Sequence, residues 1–201
     1  MKKLTIALSL VLTLIATALT AKAASTHTVV RGDTMWRIAV KYQVGLSELA
    51  GANPHIKNIA LIYPGQTINI PTQDSSVTAY EKEVVRLVNI ERSRAGLGPL
   101  QYDWELSRVA RYKSRDMSEL GYFSHTSPTY GSPFEMMRSF GISYRSAGEN
   151  IARGYTTPEA VVKGWMSSQG HRANILNSSF THIGVGYVKE GHLWTQMFVF
   201  K

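Results

Sequence analysis

The stretch Gly164–Leu176, GWMSSQGHRANIL, sets an imidazole and a guanidinium side by side, His171 and Arg172, directly behind a stop at Gly170. An imidazole so placed can act as a general base, hold a metal ion or orient a loop. Ser168, three residues earlier at helical i, i+3 spacing, supplies a hydroxyl that an imidazole base could activate as a nucleophile. The local signatures of hydrolases are missing, with no G-x-S-x-G elbow and no H-E-x-x-H. The chain has no cysteine, which excludes thiol catalysis, thiolate metal sites and disulfides. His171 therefore has to find its partners far away in the chain, on elements that the rest of the sequence must supply.

Residues 1–23 read as an export leader: Lys2 and Lys3, an apolar run from Leu4 to Leu19, then Ala21-Lys22-Ala23 in small-x-small form. A retained membrane anchor is the competing reading; the Ala-x-Ala end and the polar segment behind it favour cleavage, leaving no retained span. Export without disulfides fits a bacterium, a Gram-positive one in particular. The formal charge of +8 falls to +5 when Lys2, Lys3 and Lys22 are lost, a mild positive balance that suits retention near anionic wall polymers. No Lys/Arg block or arginine–aromatic array points to nucleic acid.

Polar residues 73–78, QDSSVT, follow Pro71 and separate two differently patterned regions, so they are expected to be a linker. In residues 25–72 the pattern predicts a strand over His27–Val30 and a turn at Gly32-Asp33. A helix capped by Asp33 or Thr34 then carries Trp36, Ile38, Ala39 and Tyr42. A second helix starts at Ser47, and Gln66–Ile70 alternates as a closing strand.

The segments HTVVRGDTMWRIAVKY, LSELAGANP and LIYPGQTINIP, in this βααβ order, resemble the LysM module and cover nearly all of this region. The resemblance implies binding of N-acetylglucosamine glycans such as peptidoglycan. The implied groove maps to Gly32, Asp33, Thr34 and Met35 on one side and to Ile62, Tyr63, Pro64 and Gly65 on the other. Main-chain groups freed at the turns would hydrogen-bond an acetamido group, with Met35 or Ile62 against its methyl. The alternative is that Gly32 and Gly65 serve only turn geometry while Met35 and Ile62 belong to the core.

Residues 79–201 predict an α+β domain. A first helix starts from a Thr78/Glu81 capping box, sets Tyr80, Val84, Leu87 and Val88 on one face, and stops at Gly96. A second is capped by Asp103, with Leu106, Val109, Ala110 and Met117 on its apolar face. A third is capped by Ser132 with Pro133 and Glu135, and a fourth by Thr157 with Pro158. AGENIA, THIGVGYV and LWTQMFVF read as strands, the last two joined at Lys189–His192 as a hairpin. Trp104, Trp165 and Trp194 are expected in the core, and Asn89 and Arg92 in structural roles.

VVRLVNIERSRAGLGPLQYDWELSRVARYKSRDM, FSHTSP, GENIA, GWMSSQGHRANILN and HIGVGY occur in the order found in the CAP (SCP/PR-1-like) superfamily, in its bacterial form. This resemblance spans the region and implies a three-layer α-β-α sandwich. It further implies a cavity with two histidines and two acids, in some members holding a divalent metal. Mapped residue by residue, the cavity takes His125, Glu149 and His171, while the second acid falls on Ser168. That departure leaves one carboxylate where the eukaryotic pattern has two.

Two imidazoles and a carboxylate are zinc-ligand types, so Zn²⁺ on His125 and His171 is one expectation. Asn150 and Asn174 are expected to bond main chain rather than react. The favoured reading is a secreted, wall-associated binding protein for which no catalytic step is required. The alternatives are a wall-targeted hydrolase and a spore-coat or other envelope component.

Overall fold

The computed structural model describes residues 25–201, and the expected leader lies outside the described residues. The first unit runs β1 (Ser25–Thr28), α1 (Met35–Tyr42), α2 (Leu46–Gly51) and β2 (Thr67–Ile70), the expected βααβ order. β1 and β2 pair antiparallel, with Ser25 opposite Ile70 and Thr28 opposite Thr67. Thr34 caps α1 by accepting from the Arg37 amide at 3.1 Å. Met35, Ile38, Ala39, Leu49 and Ile68 are buried in one cluster. So small a core needs polar ties, and Asn53 provides them. Its amide donates to the Leu49 and Asn69 carbonyls at 2.8 Å each and accepts from the Asn69 amide at 2.8 Å, locking α2 to β2. β1 begins two residues before the expected strand, and α2 starts behind Gly45 rather than at Ser47.

The second unit contains α3 (Ser75–Arg94), β3 (Gln101–Tyr102), α4 (Trp104–Glu119), α5 (Pro133–Ser139), β4 (Ser146–Arg153), α6 (Pro158–Met166), α7 (Gln169–Ile175), β5 (His182–Val188) and β6 (Leu193–Phe200). Its sheet has the order β3-β5-β6-β4. β5 and β4 both run antiparallel to β6, while β3 is parallel to β5. The two-residue β3 is too short to show a period, which is why the pattern did not foretell it.

Alternation along the strands sorts the two faces. Ile183, Val185, Trp194 and Phe198 pack with Val84, Val88, Val161 and Trp165 of α3 and α6. Met197 and Val199 face Leu106, Val109 and Ala110 of α4 and Met136 and Met137 of α5. The result is the α-β-α sandwich. On the α4 side, β5 carries Gly184 and Gly186, where an added Cβ would lie 2.4 Å from the Ser107 nitrogen and 2.1 Å from the Arg111 nitrogen. The helix backbone thus rests directly on the strand, an approach that only glycine permits.

Three local expectations change. Residues 75–78 are helix rather than linker: Asp74 caps α3 by accepting from the Ser76 amide at 2.8 Å, and the Thr78 amide bonds back to the Asp74 carbonyl. Aspartate caps at least as well as threonine, so the earlier cap sets the start. Glu81 is then free of any capping box. It is buried against Arg111, whose Nε lies 2.8 and 2.9 Å from its oxygens, and it also accepts from the Tyr187 amide.

The run through Trp165 ends at Met166, not Gly170. The Ser167 hydroxyl donates to the Lys163 carbonyl at 2.8 Å, and Ser168 becomes the N-cap of the separate α7, with Gly170 and His171 inside it. Trp165 and Trp194 are core, whereas Trp104 is only half-buried.

The units are joined by residues 71–74 and by one ion pair. Arg108 of α4 donates from Nε and Nη2 to the Glu48 carboxylate of α2 at 2.6 and 2.9 Å, and from Nη2 to the Ser47 hydroxyl at 3.0 Å. Burial works to raise the Glu48 pKa, but Arg108 and Ser47 outweigh it and hold it at about 2. Among the described residues no helix is long and apolar enough to cross a membrane.

Candidate functional site

β4 is the edge strand of the larger sheet, and successive side chains on it point to opposite faces. Glu149 faces the α4 side, and Asn150 faces the side where α7 packs. The loop from Leu120 to Gly131 carries His125 to this edge, and helix α7, with His171 inside it, is tied to β4 through Asn150. His125 Nδ1 donates to Glu149 Oε1 at 2.8 Å. The His125 side chain is 53% exposed and that of Glu149 only 2%, so the pair runs from solvent into the domain. The other carboxylate oxygen, Glu149 Oε2, is buried with no hydrogen-bond partner.

Electrostatics separate the groups. Burial raises the Glu149 pKa above the usual carboxylate range, opposed by the hydrogen bond from His125 and the charge of Lys113. Burial lowers the pKa of the half-buried His171, and the charge of nearby His125 lowers it further. His171 is therefore a neutral imidazole at neutral pH, within electrostatic reach of His125.

The expected main-chain roles of the asparagines hold. Asn150 Nδ2 donates to the His171 carbonyl at 3.1 Å and to Gln196 Oε1 at 2.9 Å. Asn174 Nδ2 donates to the Glu149 carbonyl at 3.2 Å and to Asn150 Oδ1 at 2.8 Å. Together they stitch α7, and with it His171, to the edge strand. Asn89 and Arg92 are likewise structural: Asn89 pairs with the main chain of Leu100, and Arg92 donates to the Gly98, Ile175 and Asn177 carbonyls.

Sequence reasoning missed the groups that hold the His125 loop. Lys113 of α4 is 1% exposed, and its ammonium donates to the His125 carbonyl at 2.7 Å. Asp116, one turn on, accepts from the hydroxyls of Tyr122, Ser127 and Thr129 at 2.5, 2.6 and 2.6 Å. Burial works against its charge, but these donors hold the Asp116 carboxyl below its usual range. Burial also lowers the Lys113 pKa. The available signal was a lysine and an aspartate at i, i+3 on the otherwise apolar face of α4.

Two expectations about this site find less support. Ser168 occupies the N-cap position of α7 without a side-chain cap bond, and no hydrogen bond among the described residues joins it to His171. No three His, Asp or Glu side chains among the described residues are grouped to hold a metal ion. A catalytic zinc site uses three protein ligands. One Glu149 oxygen is engaged by His125 Nδ1, and among the described residues no third ligand is grouped with this pair, so the donor set does not fit zinc as held here.

In the first unit the β1–β2 pairing continues towards the predicted loops: the Gly65 amide donates to the Val29 carbonyl at 2.9 Å, and the Val29 amide to the Gln66 carbonyl at 2.8 Å. Gly32 and Gly65 hold φ of +92° and +88°, which the turns require. Met35 is 2% exposed, so it belongs to the core and not to the groove surface. The Asp33 carboxylate accepts from His27 at 2.8 Å and from the Val30 amide at 2.9 Å, and Thr34 is the helix cap. Ile62 packs against the core cluster. The surface left is main chain at Gly32, Pro64 and Gly65, with Tyr63 65% exposed beside it.

Comparison with known proteins agrees with this division. Residues 85–201 match the family model described as the cysteine-rich secretory protein family, CAP, and residues 27–71 match the LysM domain. "Uncharacterized protein YkwD" of Bacillus subtilis is 57% identical over 155 residues, covering 77% of this chain and 60% of the relative. A crystal structure of an extracellular protein containing an SCP domain from Bacillus anthracis superposes with a TM-score of 0.61 at 34% identity, covering 69% of this chain and 47% of that one. An outer surface protein from Borrelia burgdorferi shares the fold, with a TM-score of 0.57 at 20% identity over 64% of this chain and 95% of its own. The chain thus spans less than two thirds of the length of the two Bacillus proteins. With a CAP model matching more than half of its residues, and despite having no cysteine of its own, the chain belongs to the cysteine-rich secretory protein (CAP) family and carries a LysM domain ahead of its CAP domain.

Proposed function

We propose that this is an extracellular, wall-associated binding protein. Its LysM module holds an N-acetylglucosamine glycan such as peptidoglycan, and its CAP cleft captures a ligand that donates hydrogen bonds. The observation that carries the cleft reading is Glu149 Oε2, a buried carboxylate oxygen without a donor beside an exposed imidazole. An unpaired buried acceptor costs about 1–3 kcal/mol, and an incoming donor recovers that cost. The neutral His171 adds a further acceptor or donor at the same edge. The glycan reading rests on LysM membership, with Gly65 bonded to the strand end at Val29 that leads into the Gly32 turn.

The test is co-sedimentation of the full chain with purified peptidoglycan, followed by assay of the supernatant for released fragments. Retention of the protein without fragment release is the expected outcome. Release of sugar or peptide fragments by the wild type, lost in Glu149→Gln, would replace binding with hydrolysis. No retention at all would remove the glycan reading.

A further inference from the structure

Trp36 stands out on the LysM module as a large aromatic side chain that is 53% exposed on the first turn of α1. Across from it stands half-buried Trp104, the first residue of α4 in the CAP domain. Although 68 positions apart in sequence, the two indoles line one groove of about 470 Å³ together with Leu46, Ser47, Arg108 and Phe140. That volume lies in the range of small-molecule sites, about 300–1,000 Å³.

The groove is a built feature of the joint between the domains. Arg108 grips Glu48 with two hydrogen bonds and Ser47 with a third, and its guanidinium lies 5.1 Å over the Phe140 ring. Gly45 is pressed against this pair so closely that a Cβ there would lie 2.0 Å from Glu48 Oε2. The two walls are therefore held at a set spacing before any ligand arrives, which lowers the cost of binding.

The chemistry of the lining selects the occupant. Aromatic walls offer flat apolar faces, and the base offers a hydroxyl and a guanidinium edge, a combination that suits a pyranose with its apolar ring face and polar rim. Charge argues against an anionic polymer. Arg108 is already neutralised by Glu48, and the carboxylate of Glu105 lines the same groove. Trp36 also follows directly in sequence on the Gly32–Met35 segment of the module.

We infer that the Trp36–Trp104 groove is a saccharide subsite for an uncharged stretch of glycan, so that one polymer is held by both domains. This rests on the glycan-binding reading of the LysM module and extends it to a surface the module does not have alone.

Calorimetric titration of the full chain with N-acetylglucosamine oligomers from trimer to hexamer tests it. Affinity should rise with length in the wild type. Trp36→Ala and Trp104→Ala should each weaken hexamer binding about tenfold, equivalent to about 1.4 kcal/mol, and leave the trimer unaffected. Hexamer binding at wild-type strength in both variants would overturn the subsite while leaving the module's glycan site standing. Failure of the wild type to bind any oligomer would instead sink the glycan reading, and the subsite with it.

A second readout guards against misfolding of the Trp104 variant. Trp165 and Trp194 are buried at 1% and 0% exposure, so ligand-dependent change in indole emission must come from Trp36 and Trp104. Such a change persisting in a Trp36→Phe/Trp104→Phe double variant would also overturn the assignment.

Discussion

In the LysM module the surface proposed for a glycan is mostly main chain at two glycine-bearing turns, whereas the candidate site of the CAP domain consists of side chains held by other side chains. Asp33 and Thr34 of the module are consumed in shaping their own loop. In the CAP domain, His125 depends on Glu149 at its ring and on Lys113 at its carbonyl, while its loop depends on Asp116. A main-chain site tolerates exchange of most side chains but not of its glycines. A side-chain site tolerates little exchange within its network and carries buried polar groups whose satisfaction is incomplete.

The largest expected effect sharpens this contrast. Asp116→Ala removes the acceptor of three hydroxyls and a charge facing buried Lys113, and should cost about 3 kcal/mol in urea denaturation. Amide exchange should accelerate in residues 120–131 and stay unchanged in residues 25–72. Equal acceleration in both would mean that the two regions do not differ in the way described.

Gly65→Ala comes next. It forces a side chain to φ +88° with open space around the new Cβ, so the expected cost of about 1–2 kcal/mol is conformational. Peptidoglycan retention should weaken, whereas Tyr63→Ala should change it less. A larger loss in Tyr63→Ala would make the module's site a side-chain site after all.

The smallest effect has the opposite sign. Burial raises the pKa of Glu149, so its folded-state advantage belongs to the protonated form and is lost as pH rises through that raised pKa. At pH 7 the carboxylate therefore costs stability, and Glu149→Gln should gain about 1 kcal/mol while impairing ligand capture. His171 runs the other way, since its lowered pKa gives stability that is present above about 6.5 and is lost as pH falls. Melting temperatures of the wild type and Glu149→Gln across pH 4 to 8 measure both. A variant no more stable than the wild type at pH 7 would mean that the buried carboxylate is not strained.

How much of this was legible in the sequence follows from range. Caps and faces were readable wherever a local rule governs them: Asp103, Ser132 with Glu135, and Thr157 all cap as their spacing implies. Local rules failed where two candidates competed a few residues apart, as Asp74 did with Thr78, or where serine hydroxyls broke a helix that periodicity alone would continue past Met166. Nothing in spacing links His125, Glu149 and His171. The His125–Glu149 contact depends on β4 lying at the sheet edge, a property of strand order that no single segment contains. Lys113 and Asp116 were hidden for the same reason, because a charge on an apolar helix face declares itself only when the loop that covers it is known.

The Glu48–Arg108 pair also has a mechanical meaning. If the LysM module is held by a glycan as proposed, a load on it has two routes to the CAP domain: along the chain at residues 71–74 and through α2 into α4 at Arg108. From Arg108 it is one helical turn and a residue to Lys113, whose ammonium props the His125 loop. On the proposed wall attachment, tension in the polymer would therefore arrive at α4, the helix whose backbone lies directly on β5.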